Sequence, residues 1–287
     1  SHWGTYHVDV KDGQLTGLRD FVEDQDPSPI GHGIVDVLDG PTRITDPMIR
    51  KSWLESGPGT AGDKRGKDAF VKVSWGEANR LVAAELDRVR KGYGNRSIYA
   101  GSYGWASAGR FHHAQGQLKR FLNYIGGFTG SRNTYSFAAA EVVVPHVLGN
   151  FRGHLDETTS WDSIASDCDL FVAFGGVPLK NGQISQGGTG AHVQKAGVLA
   201  AHKAGVRFVN ISPLRSDLMD QAGAEWLSPR PSTDTALMLG LAHTLLTEGL
   251  QDTAFLDRYC VGFDRFAQYL LGEKDNLPKS ADWAGAI

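Results

Sequence analysis

The sequence predicts an α/β fold: an N-terminal β-hairpin region followed by βαβ units that form a parallel sheet. Three observations carry this expectation. Residues 6–18 alternate in polarity on both sides of Asp12-Gly13, a dipeptide that favours the type I′ hairpin turn. Apolar runs at 169–174 and 206–211 flank an amphipathic stretch at 191–204, the strand–helix–strand order of a parallel unit with a right-handed crossover. Each apolar run then opens into a loop of small and polar residues, Gly175-Gly176-Val177-Pro178 and Ser212-Pro213-Leu214. Loops at the ends of parallel strands are where α/β proteins place ligands.

Composition narrows the function classes. At 287 residues the chain holds one large domain or two ordinary ones. With 41% hydrophobic and 21% charged residues it reads as globular, not disordered. No apolar run reaches the roughly 18 residues of a membrane span, so no membrane insertion is expected. The net charge of −3 argues against nucleic acid as a partner, since a phosphate-tracking surface carries a basic excess. Cys168 and Cys260 are the only cysteines, which excludes a disulfide framework, a multi-thiolate zinc site and a cysteine-bound iron–sulfur cluster within this chain. The first residues lack the basic and apolar regions of a signal peptide. Position 1 is not Met, and residues 280–287 read as a helix cut off in its first turns, so the chain is expected to be a portion of a longer protein.

In chain order, residues 24–46 carry many Pro, Gly and Asp residues and read as a long ordered loop. Residues 47–54 bring Arg50, Lys51 and Trp53 together; contact with an anionic ligand is one reading, and a solvated loop end packing one Trp is favoured. A short strand at 71–73 precedes Ser74-Trp75-Gly76-Glu77, a capping box for a helix ending near Gly92. Residues 98–100 read as a buried strand, followed by a small-residue loop at 101–109. A helix with Phe111, Ala114, Leu118, Phe121, Leu122 and Ile125 on one face comes next and stops at Gly126-Gly127. A second polar loop, 131–136, leads into an apolar segment at 141–148 that is expected to be buried. After the two central strands, residues 226–234 read as the cap of an apolar helix at 235–246, and 253–271 as helical and amphipathic.

The ends of the runs at Ala100, Phe174 and Ile211 are expected to line one crevice where backbone N–H groups cradle phosphates. None of the three loops is GxGxxG, and no GxxxxGK[ST] occurs, so a classical nicotinamide unit and a P-loop are both disfavoured. Asp234, in Pro229-Arg230-Pro231-Ser232-Thr233-Asp234, offers two acceptors to a guanine edge, although composition by itself favours an ordinary helix cap at Thr233 or Asp234. His112, His113, His146, His154, His192, His202 and His243 show no HExxH spacing and read as surface or hydrogen-bonded core residues. Ser136 lies in no GxSxG elbow, which disfavours a serine hydrolase. The residues by themselves therefore reach a ligand-binding α/β protein for a nucleotide-bearing cofactor.

Several stretches go further. His2-Trp3-Gly4, Asp26-Pro27-Ser28-Pro29, residues 47–51, Gly101-Ser102-Tyr103-Gly104-Trp105, Tyr135-Ser136 and Pro145-His146-Val147 resemble the molybdopterin S- and N-oxide reductases. This is the dimethyl sulfoxide reductase family, with the biotin sulfoxide reductase branch as the nearest likeness. The resemblance runs over essentially the whole chain and over the first third of a typical family member. It implies a larger multidomain molybdopterin oxidoreductase fold, divided here as a β-rich and loop region at 1–73, an α/β segment with the metal-site loops at 74–150, and a truncated Rossmann-like domain binding a guanine dinucleotide at 151–287. The implied cofactor is Mo-bis(molybdopterin guanine dinucleotide), without an iron–sulfur cluster in this chain.

By that resemblance Ser136 matches the serine that ligates molybdenum, and Tyr103 and Trp105 the pair that hydrogen-bonds the oxygen being transferred. Lys180 matches a lysine at the pterin, Ser212, Pro213 and Asp234 match positions that hold the guanosine ends, and Trp105 and Gly176 are expected among the cofactor-binding residues. Many members have Asp where Ser212 stands, which implies a weakened or water-mediated contact there. Gly176-Val177 replaces a more polar pair, which implies a loop acting through its backbone. The implied reaction is oxygen-atom transfer from a small S-oxide or N-oxide, with an unidentified donor supplying electrons. The implied location is the cytoplasm, or the periplasm if a leader has been removed. A non-catalytic cofactor-binding fragment, inactive without the missing C-terminal domains, is the alternative.

Overall fold

Strands β1 (Tyr6–Lys11) and β2 (Gln14–Asp20) pair antiparallel, from Tyr6 opposite Asp20 to Lys11 opposite Gln14. Asp12 and Gly13 turn the chain with φ of 53° and 77°, the two positive values a type I′ turn demands. The computed structural model describes residues 1–59, 62–102, 113–185 and 188–287. They form two units, Ser1–Thr159 with Gly182–Val193, and Ser160–Asn181 with Gln194–Ile287.

In the first unit, the stretch expected as a loop at 24–46 folds in part. Pro29–His32 is a 3₁₀ turn and α1 spans Gly33–Leu38. Ser28 caps the turn by accepting the Ile30 N–H, and Pro29 sits where a missing N–H costs nothing. The proline that argued for a loop marks a helical start. β3 (Met48–Arg50) leads directly into α2 (Lys51–Ser56) and pairs antiparallel with β4 (Phe70–Lys72). Ser74 Oγ accepts the Glu77 N–H at 3.1 Å and starts α3 (Trp75–Tyr93), but the Glu77 carboxylate turns to Arg80, so the second bond of a capping box does not form.

Two expectations in this unit need correction. Residues 98–100 do not make a strand: Ile98 is buried, yet only Tyr99 bridges, to Thr129. The loop after it, with Tyr103 and Trp105, and the first turn of the expected helix, with Phe111 and His112, lie outside the described residues. α4 (Ala114–Tyr124) forms as expected and ends before Gly126 and Gly127, at φ of 107° and 99°. The segment at 141–148 is helical, within α5 (Ala138–Leu148), but Val142, Val143, Val147 and Leu148 are each more than half exposed. α6 (Phe151–Asp156) packs against one side of it, through Phe137 and Phe151, and the other apolar face is uncovered by the described residues of this unit.

The second unit is built on one parallel sheet. α7 (Trp161–Asp167) precedes β5 (Leu170–Phe174), α8 (Leu179–Gly182) follows it, and α9 (Gln194–Ala204) crosses over to β6 (Arg207–Ile211). A third strand that the sequence did not announce, β7 (Glu225–Leu227), pairs parallel with β6, in the order β5-β6-β7. Only the Phe174 and Ile211 ends therefore share this sheet; the Ala100 run belongs to the other unit. Val198, Ala201, Phe208 and Leu218 form the core with Trp161 and Phe171 packed on it, each large apolar side chain contributing about 1.5–3 kcal/mol. Gly197 is needed because a Cβ there would overlap the Trp161 ring. α10 (Asp234–Thr247) follows the sheet, and the stretch at 253–271 is helical as expected, in two helices, α11 (Thr253–Tyr259) and α12 (Phe263–Leu270), broken at Gly262 with φ of 85°. α13 (Ala281–Ala286) lies on α10, where Gly240 faces Ala284.

Candidate cofactor-binding site

Parallel strands point their carboxyl ends to one edge of the sheet, so the loops after β5, β6 and β7 emerge side by side. Those loops carry Gly176 and Lys180, Ser212 and Pro213, and Asp234. Topology thus gathers five of the expected site residues at one edge. Gly175 and Gly176 turn the chain away from β5 at φ of 80° and 75°, a region L side chains rarely adopt. The Gly175 N–H donates to the Ile211 carbonyl at 2.8 Å, tying the first loop to the end of β6.

The second loop is locked more firmly. Ser212 is buried; its Oγ donates to Asp217 Oδ2 at 2.6 Å and accepts the Leu214 N–H at 3.3 Å. Its carbonyl accepts the Trp226 indole N–H at 2.8 Å. Asn210, also buried, donates from Nδ2 to the Arg215 carbonyl at 3.2 Å. The Asp217 carbonyl then accepts the Val177 N–H at 2.7 Å, which joins this loop to the first. A Cβ on Gly176 would overlap the Asp217 backbone and Cβ. Asp217 is thus the residue that sequence reasoning passed over. The only available signal was an acid five positions after a strand-end Ser-Pro.

Asp234 opens α10, and Thr233 does not cap it, because its Oγ1 donates back to the Arg230 carbonyl at 2.7 Å. Ser232 before it has φ of 69°. Lys180 is exposed on α8.

Ser136 belongs to the first unit, exposed in the loop that enters α5. Glu141, in the first turn of α5, accepts the Thr134 N–H on Oε2 at 3.1 Å, and Thr134 Oγ1 accepts the Phe137 N–H at 3.3 Å. The loop that presents Ser136 is therefore pinned on both sides. Tyr103 and Trp105 lie outside the described residues.

Elsewhere in this unit, Arg50 faces Asp68 at 3.3 Å, and hydrogen bonds from Ser52, with Arg50 nearby, hold the Asp68 carboxyl below the usual range. An apolar hollow of about 420 Å³ beside it is lined by Met48, Ile49, Trp53, Phe70, Leu81 and Leu86 and contains none of the expected site residues. His192 is a hydrogen-bonded core residue, as expected. Its Nδ1 lies 2.6 Å from Asp24 Oδ2 and its Nε2 3.2 Å from the Gln183 carbonyl, so both ring nitrogens meet acceptors. Burial pushes the Asp24 carboxyl up, but the N–H groups of His192 and Asp26 and the His192 ring outweigh it and leave Asp24 below the ordinary range.

The chain matches the family model described as molybdopterin oxidoreductase over residues 43–273, and the molybdopterin oxidoreductase N-terminal domain over residues 1–39. It belongs to the molybdopterin oxidoreductase family. Among its relatives, a dimethyl sulfoxide/trimethylamine N-oxide reductase of Cereibacter sphaeroides is 42% identical across 100% of this chain and 34% of that protein. A biotin sulfoxide reductase of the same organism is 43% identical across 94% of the chain and 36% of the relative. A trimethylamine-N-oxide reductase of Haemophilus influenzae is 38% identical across 100% and 34%. The chain spans about a third of the length of the curated relatives it matches.

The residues present fit a molybdenum–pterin group of this family. Gly176 lets the first loop close against Asp217 of the second, so both loops stand together at the carboxyl edge of a parallel sheet, where such a group would lie against them. Among the described residues no three His, Cys, Asp or Glu side chains gather as a metal site, and a metal that arrives on an organic group needs only a single protein ligand. Ser136, exposed on a pinned loop, would be the oxygen donor to such a group.

Proposed function

We propose that this chain is the N-terminal part of a molybdenum-dependent oxidoreductase that reduces S-oxides or N-oxides by oxygen-atom transfer. The observation that carries the reading is the family membership together with relatives named as dimethyl sulfoxide, trimethylamine N-oxide and biotin sulfoxide reductases at 38–43% identity. The cofactor proposed is the bis(molybdopterin guanine dinucleotide) form. The loops after β5, β6 and β7 would hold a guanosine end, with Gly176 allowing backbone approach, Ser212 and Pro213 shaping the wall and Asp234 meeting the guanine edge. Lys180 would place a positive charge near the pterin. Ser136 would ligate the metal, and Tyr103 and Trp105 would orient the oxygen of the substrate.

When bound, the cofactor supplies the two-electron redox chemistry. The side chains position the substrate, hold its oxygen by hydrogen bonds and fix the metal's protein ligand. Because the chain spans a third of its relatives' length, turnover is proposed for the longer protein and cofactor binding for this portion. The likeness to biotin sulfoxide reductase is the ground for proposing a cytoplasmic location, with the periplasm as the alternative. Molybdenum and guanine analysis of the purified longer protein tests the reading. About two guanines per molybdenum are expected, and molybdenum without guanine contradicts the dinucleotide form.

A further inference from the structure

We propose that the cavity beneath the loop leaving β6 is a resident water site, in which a water donates to the side-chain oxygen of Asn210. The cavity measures about 80 Å³ and is walled by Asn210, Leu218, Met219 and Trp226, with the exposed Arg215 and Asp220 also on its border. At about 30 Å³ for each molecule, it has room for roughly two or three waters.

Asn210 lies on the same side of β6 as Phe208, a core position where a polar side chain must find partners. It is 1% exposed. Its Nδ2 donates to the Arg215 carbonyl at 3.2 Å, and this bond fixes the amide, because the reverse orientation sets oxygen against oxygen. Oδ1 is therefore an acceptor, and among the described residues no donor reaches it. Two donors on the same cavity are committed elsewhere. The Trp226 indole N–H donates to the Ser212 carbonyl at 2.8 Å, and Arg215 Nε faces Asp220 Oδ1 at 3.6 Å. A buried amide oxygen without a donor carries the full cost of its lost hydration, so a guest that donates is favoured there.

The chemistry of the walls selects the guest. Arg215 and Asp220 stand as an ion pair, which leaves the border without net charge to hold an ion. The guest is thus small, neutral and a donor. Water meets all three conditions, and Arg215 and Asp220 supply the further polar partners that a buried water takes. Held there, the water joins strand to loop: Asn210 reaches the Arg215 carbonyl directly and the 218–220 side of the loop through solvent. That loop carries Ser212 and Pro213 at its start, and Asp217, which ties it to the loop after β5.

A crystal structure of the longer protein, at a resolution that shows ordered waters, tests the site. A density peak is expected about 2.6–3.0 Å from Asn210 Oδ1. The peak is expected to be lost in Asn210→Leu, which keeps a similar volume and has no polar side-chain atom; thermal unfolding verifies that this variant is folded. Pressurising unaltered crystals with xenon gives a reading that needs no variant. Xenon settles in dry apolar cavities, so none is expected here. The proposal is overturned by unaltered protein in which Oδ1 has no peak beside it or meets a protein donor, by xenon in the cavity, or by a peak that persists in folded Asn210→Leu.

Discussion

Asp24 and His192 stand 168 positions apart and are both buried, and their pairing ties the 182–193 segment to the N-terminal residues. Ser185 and Thr189 extend the tie through N–H donation to the His2 and Ser1 carbonyls, at 2.9 and 3.2 Å. Replacing the Asp24 carboxylate weakens hydrogen bonds to a charged acceptor in a buried pair, a loss of about 1.5–3 kcal/mol. Asp24→Asn is therefore expected to lower the unfolding free energy from urea titration at neutral pH by that amount. The Asp24 carboxyl is depressed in the folded state, so its contribution is present above the unfolded carboxylate value and disappears as pH falls through the folded one. The gap between wild type and Asp24→Asn should thus close below about pH 4. A gap that stays constant into that acid range contradicts the pairing. Nothing in the sequence near either residue reveals the pair, because it is set by long-range folding and not by spacing.

At the scale of elements, signals confined to a few adjacent residues were legible. Asp12-Gly13 fixed a hairpin by its two positive φ values, and Ser74 began α3 because its hydroxyl lies within reach of an N–H three residues on. Signals that depend on a neighbour elsewhere in the chain were not. β7 is three residues, with Glu225 and Trp226 among them, and is a strand only because β6 lies beside it. Residues 98–100 have strand composition, but among the described residues no second strand extends the pairing beyond Tyr99 and Thr129. The apolar residues of α5 implied burial, yet hydrophobicity does not say which element will cover a helix. The Ser136 loop depends on one such contact, that of Glu141 with Thr134. Glu141→Ala is expected to remove about 1 kcal/mol of local stability and speed amide exchange at Thr134 and Phe137 severalfold, leaving α3 unchanged. Unaltered exchange at both amides contradicts the anchoring role.

For the whole molecule, the family and the parallel sheet were both legible, the first from motifs in order along the chain, the second from strand–helix–strand periodicity. The division into two units was not, because 182–193 leaves the sequence-adjacent sheet to join the N-terminal half, a path that no local pattern encodes. The proposed chemistry divides accordingly. Gly176, Lys180, Ser212, Pro213 and Asp234 belong to the sheet unit, and Ser136 to the other. In the longer protein, Tyr103→Phe is expected to slow single-turnover oxidation of the reduced enzyme by a sulfoxide on the order of a hundredfold while molybdenum content is unchanged. An unchanged rate removes Tyr103 from the proposed reaction.

Ser136 is where the account is most exposed, since it joins the metal to a residue of this chain. The most direct measurement is the visible absorption spectrum of the metal in the longer protein carrying Ser136→Ala. Loss of the serine oxygen is predicted to shift the metal bands even where molybdenum is retained. A spectrum identical to that of the unaltered protein, at equal molybdenum content, would contradict ligation by Ser136.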